Sequence, residues 1–334
     1  MTLQRKDVRL ALPSKGRLAG GALTFLDEAG LSVHKPNPRQ FEATIPAMPG
    51  LTVLFQRAAD IVVSVHDGSI DFGVTGWDVV SEWGDESGEI LTLHRQLGFG
   101  HCTLNVIVPE SWDDVHSVED LVKLRARGRN PLRVATKFPN LTAKLFRRHG
   151  LEDTRLIEAD GTLEVAPAIG YADLIVDLVS TGTTLRDNRL RVLEDGLILT
   201  SQACLIANRS SLKSRPEVLA MARQLLEFIV AHLRAASNVA IYANIRGESP
   251  RAIAKRMFRQ SVIGGLQGPT ISPVITSQED DLYAAHIIVR RDDLVQAIAE
   301  LRAVGGSGVV VTPVTYIFEE EPAASQAMLE ALEG

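Results

Sequence analysis

Residues 177–188 read DLVSTGTTLRDN and bring four hydroxyls, one glycine, one arginine and two acids into twelve positions at the end of the apolar run ADLIVDLV. Short hydroxyl side chains that follow a strand and precede a helix start can converge, with backbone N–H groups, where the helix dipole favours negative charge. Ser180, Thr181, Thr183 and Thr184 are so placed, and Gly182 lets the backbone come close to a ligand. The stretch suits the phosphate of a monoester, and an ordinary Ser/Thr-rich helix cap has the same composition. Asp177 tips the balance toward a ligand, because an acid closing a buried strand is costly unless it binds hydroxyls or a metal.

Other nucleotide-binding signatures are missing. No G-x-x-x-x-G-K-[ST] occurs, and GFGHCT at 98–103 lacks the third glycine of a dinucleotide fingerprint. The eight histidines show no ligand spacing such as H-E-x-x-H, which argues against a structural metal. Nor is there a convincing Ser/His/Asp arrangement for nucleophilic catalysis.

The elements that must carry the loop follow from periodicity. VRLALP, then SKGR, then LAGGALTFLDEAG reads as strand, loop and helix, with Leu18, Ala22, Phe25, Leu26 and Ala29 at helical spacing and Gly30 as the stop. LRVATKFPNLTAKLFRRHGL repeats the plan, with Lys137 and Asn140 in the loop and Leu141, Leu145 and Phe146 on one helical face. IDFGVTGWDVV and ADLIVDLVSTGTTL are both buried-type strands running into a Thr-Gly pair. Two α/β lobes with mostly parallel sheets are expected, and SKGR, TGWD, TKFPN and STGTT, at the carboxyl ends of strands, would line one cleft between them.

PEVLAMARQLLEFIVAHLRAAS reads as a long amphipathic helix, after which strand, helix, two strands, helix and strand follow, from VAIYAN to GVVVTPVTYIF. Ser249 caps the first of these helices and Pro250 opens it. The order βαββαβ is the ferredoxin-like plan. Residues 34–50, with four prolines, match no element, and the tail after Phe318 reads as a solvated helix.

Composition bounds the rest. A chain of 334 residues, 45 % hydrophobic and 23 % charged, can bury a large core spread over two or three domains. A formal charge of −6, from 35 basic and 41 acidic residues, leaves no footprint for nucleic acid or an anionic membrane. Cys102 and Cys204 lie in apolar surroundings and read as core packing in a reducing compartment. The N-terminus lacks a signal-peptide core and no run approaches a membrane span, so a cytoplasmic location is expected.

LPSKGRL, DFGVTGWDVV, RVATKFPNLT, GTLEVAPAIGYADLIVDLVSTGTTLRDN, GLQGPTISPV and LRAVGGSGVVVTPV together resemble the long form of the ATP phosphoribosyltransferase family, over nearly the whole chain. The resemblance implies a two-lobed, periplasmic-binding-protein-like catalytic region and a C-terminal regulatory domain. The implied boundaries are 1–104 with 188–235 for the first lobe, 105–187 for the second, 236–320 for the regulatory domain and 321–334 for the tail. It further implies transfer of the phosphoribosyl group of phosphoribosyl pyrophosphate (PRPP) to N1 of ATP, releasing pyrophosphate with Mg²⁺ present, as the first step of histidine biosynthesis. Free histidine as inhibitor and a homo-oligomer, dimer to hexamer, come with it. Since the adenine N1 is already a lone-pair nucleophile, positioning and neutralisation of the leaving group would suffice.

By the same resemblance the 5′-phosphate of PRPP would lie on Ser180, Thr181, Gly182, Thr183 and Thr184, with Lys137 beside it. Glu164 and Asp177 would serve the ribose hydroxyls and Mg²⁺, and Lys15 and Arg17 the pyrophosphate, which a guanidinium fork and a point charge both suit. Arg57, Trp77 and Asp78 would contact ATP. Leu266, Thr270 and Ser307 would hold histidine. The first loop departs from the commoner LPKGRL by Ser14, which moves Lys15 one position. Two other readings use the same architecture: a small-anion-binding protein without catalysis, and a catalytically silent regulatory subunit, against which the intact DLVSTGTTLR argues.

Overall fold

The computed structural model describes residues 7–37, 40–84, 87–126, 131–159, 161–277 and 281–333. Pro38 and Arg39 of the proline-rich stretch and Gly334 of the tail lie outside the described residues. In chain order the first lobe contains β1 (Val8–Pro13), α1 (Arg17–Glu28), β2 (Glu42–Thr44), β3 (Leu51–Gln56), α2 (Ala58–His66), β4 (Phe72–Gly76), α3 (Trp77–Trp83) and β5 (Ile90–His94). The second contains β6 (Cys102–Pro109), α4 (Val118–Ala126), β7 (Arg133–Thr136), α5 (Pro139–Arg148), β8 (Arg155–Glu158), β9 (Leu174–Val179), α6 (Thr183–Asp187) and β10 (Leu190–Ser201). β11 (Ala203–Asn208), α7 (Arg209–Ser214) and α8 (Pro216–Ala236) follow.

The first sheet has the order β2-β3-β1-β4-β11-β5 and the second β10-β6-β9-β7-β8. Each has a parallel core, β3-β1-β4 and β8-β7-β9. The central strands of these sheets are mostly apolar and mostly buried, as burial on both faces demands; β4 is buried at all five positions. Helices cover them with one apolar stripe, in α1 Leu18, Ala22, Phe25 and Leu26.

The sheets are less parallel than expected, because the strands at the two crossings between lobes run the other way. β6 enters the second lobe antiparallel to β9, β10 returns antiparallel to β6, and β11 inserts antiparallel between β4 and β5. β10 therefore pairs within the second sheet, and the boundary expected at 188 moves to the short link between Ser201 and Ala203. The proline-rich stretch supplies the edge strand β2 and a bridge from His34 to Thr44, with Ile45 and Met48 buried.

A second compact unit comprises Glu28–Gly30 and Gln224–Gln326. It contains β12 (Asn238–Arg246), α9 (Pro250–Met257), β13 (Thr270–Pro273), β14 (Leu282–Arg290), α10 (Leu294–Ala303) and β15 (Gly306–Pro313). The sheet order β13-β14-β12-β15, antiparallel throughout, is the ferredoxin-like arrangement. Alternate residues of β12, from Val239 to Ile245, face a core with Ile253, Met257, Ala297 and Leu301. Ser249 caps α9 by accepting from the Ala252 N–H, 3.2 Å.

The tail forms α11 (Ala323–Glu333) and is not simply solvated: Met328 is buried, and Arg209 donates to the Ala331 carbonyl. Cys102 and Cys204 are free and buried. No helix among the described residues is long and apolar enough to cross a membrane.

Candidate active site

The first lobe brings its site residues to the carboxyl ends of β1 and β4. β1 stops at Pro13, the Ser14 N–H donates to the Gln56 carbonyl at 2.7 Å, and Gly16, at φ +79°, turns the chain so that α1 opens on Arg17. One Arg17 nitrogen lies 3.2 Å from Asp78 Oδ1 and another donates to the Gly100 carbonyl. Asp78 is buried in the first turn of α3, where its carboxylate also accepts from the Ser201 hydroxyl at 2.5 Å and its N–H donates back to Ser201 Oγ at 2.9 Å.

TGWD is therefore not a loop. Thr75 and Gly76 end the strand, Trp77 and Asp78 begin the helix, and the hydroxyl that caps it comes from Ser201, 123 residues away in sequence, so no local signal marks the helix start.

In the second lobe β7 ends at Thr136, whose Oγ1 accepts from the Phe138 N–H at 2.9 Å and shapes the turn that carries Lys137. α5 starts at Pro139 with no side chain of its own as cap. Glu82 of α3 fills that place: its two oxygens accept from the N–H groups of Asn140 and Leu141 at 2.7 and 2.9 Å. A cleft of about 940 Å³ lies between the lobes, and Lys15, Arg17, Asp78, Glu82, Lys137 and Glu158 are among the residues that line it.

Asp177 sits near the end of β9 and is half-buried, with Oδ1 accepting from the Leu178 N–H at 2.7 Å. Burial pushes its pKa up to about 6; the charge of Glu164, on the short helical turn Leu163–Val165, adds to the rise, while the Leu178 N–H and Lys137 oppose it. Lys137, Glu164 and Asp177 thus share one electrostatic neighbourhood. The 180–184 loop follows at the same strand end. Gly182 takes φ +70°, Thr181 and Thr183 hydroxyls are 3.2 Å apart, and Ser180, Thr181, Thr183 and Thr184 are exposed.

Two groups of expected residues are placed differently. Trp77 does not line the cleft: its ring packs under Arg95 at 4.3 Å, and it borders a separate crevice of about 290 Å³. Arg57 is exposed just before α2, while its neighbours Ala58 and Ala59 reach the cleft wall. Thr270 and Ser307 lie on β13 and β15, the opposite edges of the C-terminal sheet, separated by two strands or about 14 Å, so one chain does not bring them together. Leu266, half-exposed, is tied by its N–H to the Ile288 carbonyl at 3.0 Å. A further cavity of about 620 Å³, lined by Trp112, Arg133 and Arg189 among others, includes none of the expected residues.

Glu82, Glu158, Gly100 and Ser201 were not legible as site residues. Only Glu82 carried a signal, the spacing Asp78-x-x-x-Glu82 that puts two acids on one helical face.

Among the described residues no three His, Cys, Asp or Glu side chains form a ready metal cage. The donors present fit Mg²⁺ nonetheless: Glu164 and Asp177 offer hard oxygens, and a divalent cation would offset both the burial that chiefly raises Asp177 and the lesser repulsion from Glu164. Mg²⁺ is commonly held by one or two carboxylates together with substrate phosphates.

A two-lobed α/β scaffold with cations from both lobes facing one cleft, and a hydroxyl-rich stretch following Asp177, suits phosphorylated ligands. The family model described as ATP phosphoribosyltransferase matches residues 57–231, and that described as HisG, C-terminal domain, matches 235–316. ATP phosphoribosyltransferase 1, chloroplastic, from Arabidopsis thaliana is 41 % identical over 328 residues, 96 % of this chain and 80 % of that protein. ATP phosphoribosyltransferase from Brucella suis is 46 % identical over 215 residues, 63 % of this chain and 93 % of that one. Among solved structures, the ATP phosphoribosyl transferase (HisG:HisZ) complex from Thermotoga maritima superposes with a TM-score of 0.52 at 25 % identity, covering 67 % of this chain and 98 % of that one. The chain belongs to the ATP phosphoribosyltransferase family, whose reaction is the first step of histidine biosynthesis.

Proposed function

We propose that PRPP binds on the second lobe, with its 5′-phosphate on Ser180, Thr181, Gly182, Thr183 and Thr184 and its ribose hydroxyls on Asp177 and Glu164, while ATP approaches from the first lobe. The observation that carries this reading is the meeting of Lys15 and Arg17 from one lobe with Lys137 from the other in a single cleft. The adenine N1 lone pair attacks C1 of the ribose, the C1–O bond to pyrophosphate breaks, and the pair of electrons leaves with the diphosphate. No general base is needed, since N1 carries no proton. Lys15, Arg17 and Lys137 are poised to stabilise the charge that grows on the leaving oxygens. Glu164 and Asp177 would hold Mg²⁺, which would supply charge neutralisation for the diphosphate.

Mixing the protein with ATP, PRPP and Mg²⁺ should yield phosphoribosyl-ATP, seen as new ultraviolet absorbance, and pyrophosphate. Thr183→Val should lower turnover at least tenfold, since a hydrogen bond to a charged group contributes about 1.5–3 kcal/mol. A wild-type chain inert toward both substrates would favour a silent regulatory or anion-binding protein instead.

The C-terminal unit we assign to inhibition by free histidine, working in the cytoplasm as a homo-oligomer of dimers up to a hexamer. Coupling to the cleft requires two states that histidine prefers unequally. Thr270→Val should raise the histidine concentration for half-inhibition at least fivefold in steady-state assays. Unchanged inhibition would remove Thr270 from the effector site.

A further inference from the structure

We propose that Glu82 is the positioning residue that sets the spacing of the two lobes for phosphoribosyl transfer, by seating its carboxylate from α3 on the first turn of α5. The inference rests on the substrate assignment above. A helix leaves its first N–H groups without intrahelical partners. In α5 the preceding Phe138 supplies no side-chain acceptor and Pro139 has no N–H, so the N–H groups of Asn140 and Leu141 are left to be satisfied. Each finds a different oxygen of Glu82, at 2.7 and 2.9 Å, and the Asn140 side-chain amide adds a third bond to the Glu82 carbonyl at 3.1 Å. A carboxylate is also the charge that a helix N-terminus favours.

The same helix holds Arg17. Asp78 and Glu82 are one turn apart on the cleft side of α3; the first fastens Arg17 of the first lobe and accepts from Ser201 at the end of β10, and the second reaches α5. α5 in turn follows directly on Lys137. A single seven-residue helix therefore links the cation offered by one lobe to the cation offered by the other. Transfer requires both to meet one leaving group while N1 and C1 come within about 3–3.5 Å, and a misplacement of about 1 Å can cost on the order of 100-fold in rate. The ribose 5-phosphate end of PRPP is assigned wholly to the second lobe, whereas its pyrophosphate meets Lys15 and Arg17 of the first, so binding of ribose 5-phosphate alone does not depend on that spacing.

Glu82→Gln keeps the size of the side chain but turns an amide nitrogen toward one of the two N–H donors, breaking the two-pronged contact. It should lower kcat at least tenfold, while the Kd for ribose 5-phosphate, measured by titration calorimetry, changes no more than threefold. Hydrogen exchange at the amides of Asn140 and Leu141 should quicken at least tenfold. Glu82→Asp, which keeps the charge on a shorter stem, should fall between the two in kcat. A kcat within twofold of wild type, or a loss of ribose 5-phosphate affinity as large as the loss of kcat, would overturn the assignment, the latter by showing that Glu82 only shapes the second lobe. If Glu82→Gln fails to fold, Glu82→Asp decides by the same two measurements. An inert wild-type chain would instead refute the substrate assignment, and the exchange measurement would then judge the contact by itself, with unchanged exchange overturning it.

Discussion

Replacing Arg17 by alanine is expected to lower kcat by about 10²–10³, the usual consequence of removing one preorganised charge from a developing anion. It should also destabilise the fold, because Asp78 has a side chain only 3 % exposed and would be left with the Ser201 hydroxyl as its remaining side-chain partner. Breaking a buried ion pair from one side costs roughly 3–5 kcal/mol, and the lower end applies since the Arg17 side chain is 26 % exposed. The two effects separate in the double variant Arg17→Ala/Asp78→Asn. Denaturant unfolding should show most of the stability recovered, while turnover stays at the level of the single variant. Recovery of turnover along with stability would mean that Arg17 serves only as the partner of Asp78. Arg17→Lys should restore only part of the rate, because a point charge cannot reach Asp78, the Gly100 carbonyl and the diphosphate with one planar fork.

Asp177 supplies the second large effect, and it is one of pH. With its pKa pushed up to about 6 by burial, and further by Glu164, the carboxyl is half protonated near pH 6 in the free enzyme. If the ionised form holds the ribose hydroxyls, kcat/KM for PRPP should rise about tenfold per pH unit below 6 and level off above 7. Asp177→Asn should erase that limb and leave a low, flat profile, at least 100-fold below the wild-type plateau. A wild-type profile that is flat between pH 5 and 7, or one that keeps its limb in the variant, would exclude Asp177 as the titrating group. Stability should move in the opposite sense. The folded state prefers the protonated acid, so this group costs stability above pH 6 and the cost disappears as the pH falls below the ordinary aspartate value of 3.8. A shift of that size corresponds to roughly 3 kcal/mol at neutral pH. Asp177→Asn should therefore be more stable than wild type at pH 8, as expected of a residue retained for chemistry and not for packing.

What the sequence determined by itself was everything carried by local pattern. The strands Val8–Pro13 and Phe72–Gly76 were legible because burial on both faces calls for a mostly apolar run, here interrupted only by Arg9 and Thr75. The helix Arg17–Glu28 was legible from its apolar stripe and from Gly30, whose φ of +75° suits glycine. The order of the C-terminal βαββαβ unit followed in the same way, and so did the hydroxyl-rich stretch 180–184, which runs from the end of β9 into the first turn of α6. Tertiary structure decided wherever a partner lies far away in sequence. The helix start at Trp77 depends on a hydroxyl from Ser201, and that of α5 on a carboxylate from Glu82, 58 positions before Asn140. Neither cap leaves a local trace, since a hydrogen bond fixes the chemistry of its partner and not its distance along the chain. β10 joined the second lobe because register with β6 is a matter of pairing. Trp77 turned away from the cleft because adjacent positions on a helix point in directions about 100° apart, so Asp78, fastened to Arg17, left the indole to pack beneath Arg95. Thr270 and Ser307 were kept apart for a related reason: strands consecutive in the chain need not be neighbours in a sheet, and the order β13-β14-β12-β15 sends the two hydroxyls to opposite edges.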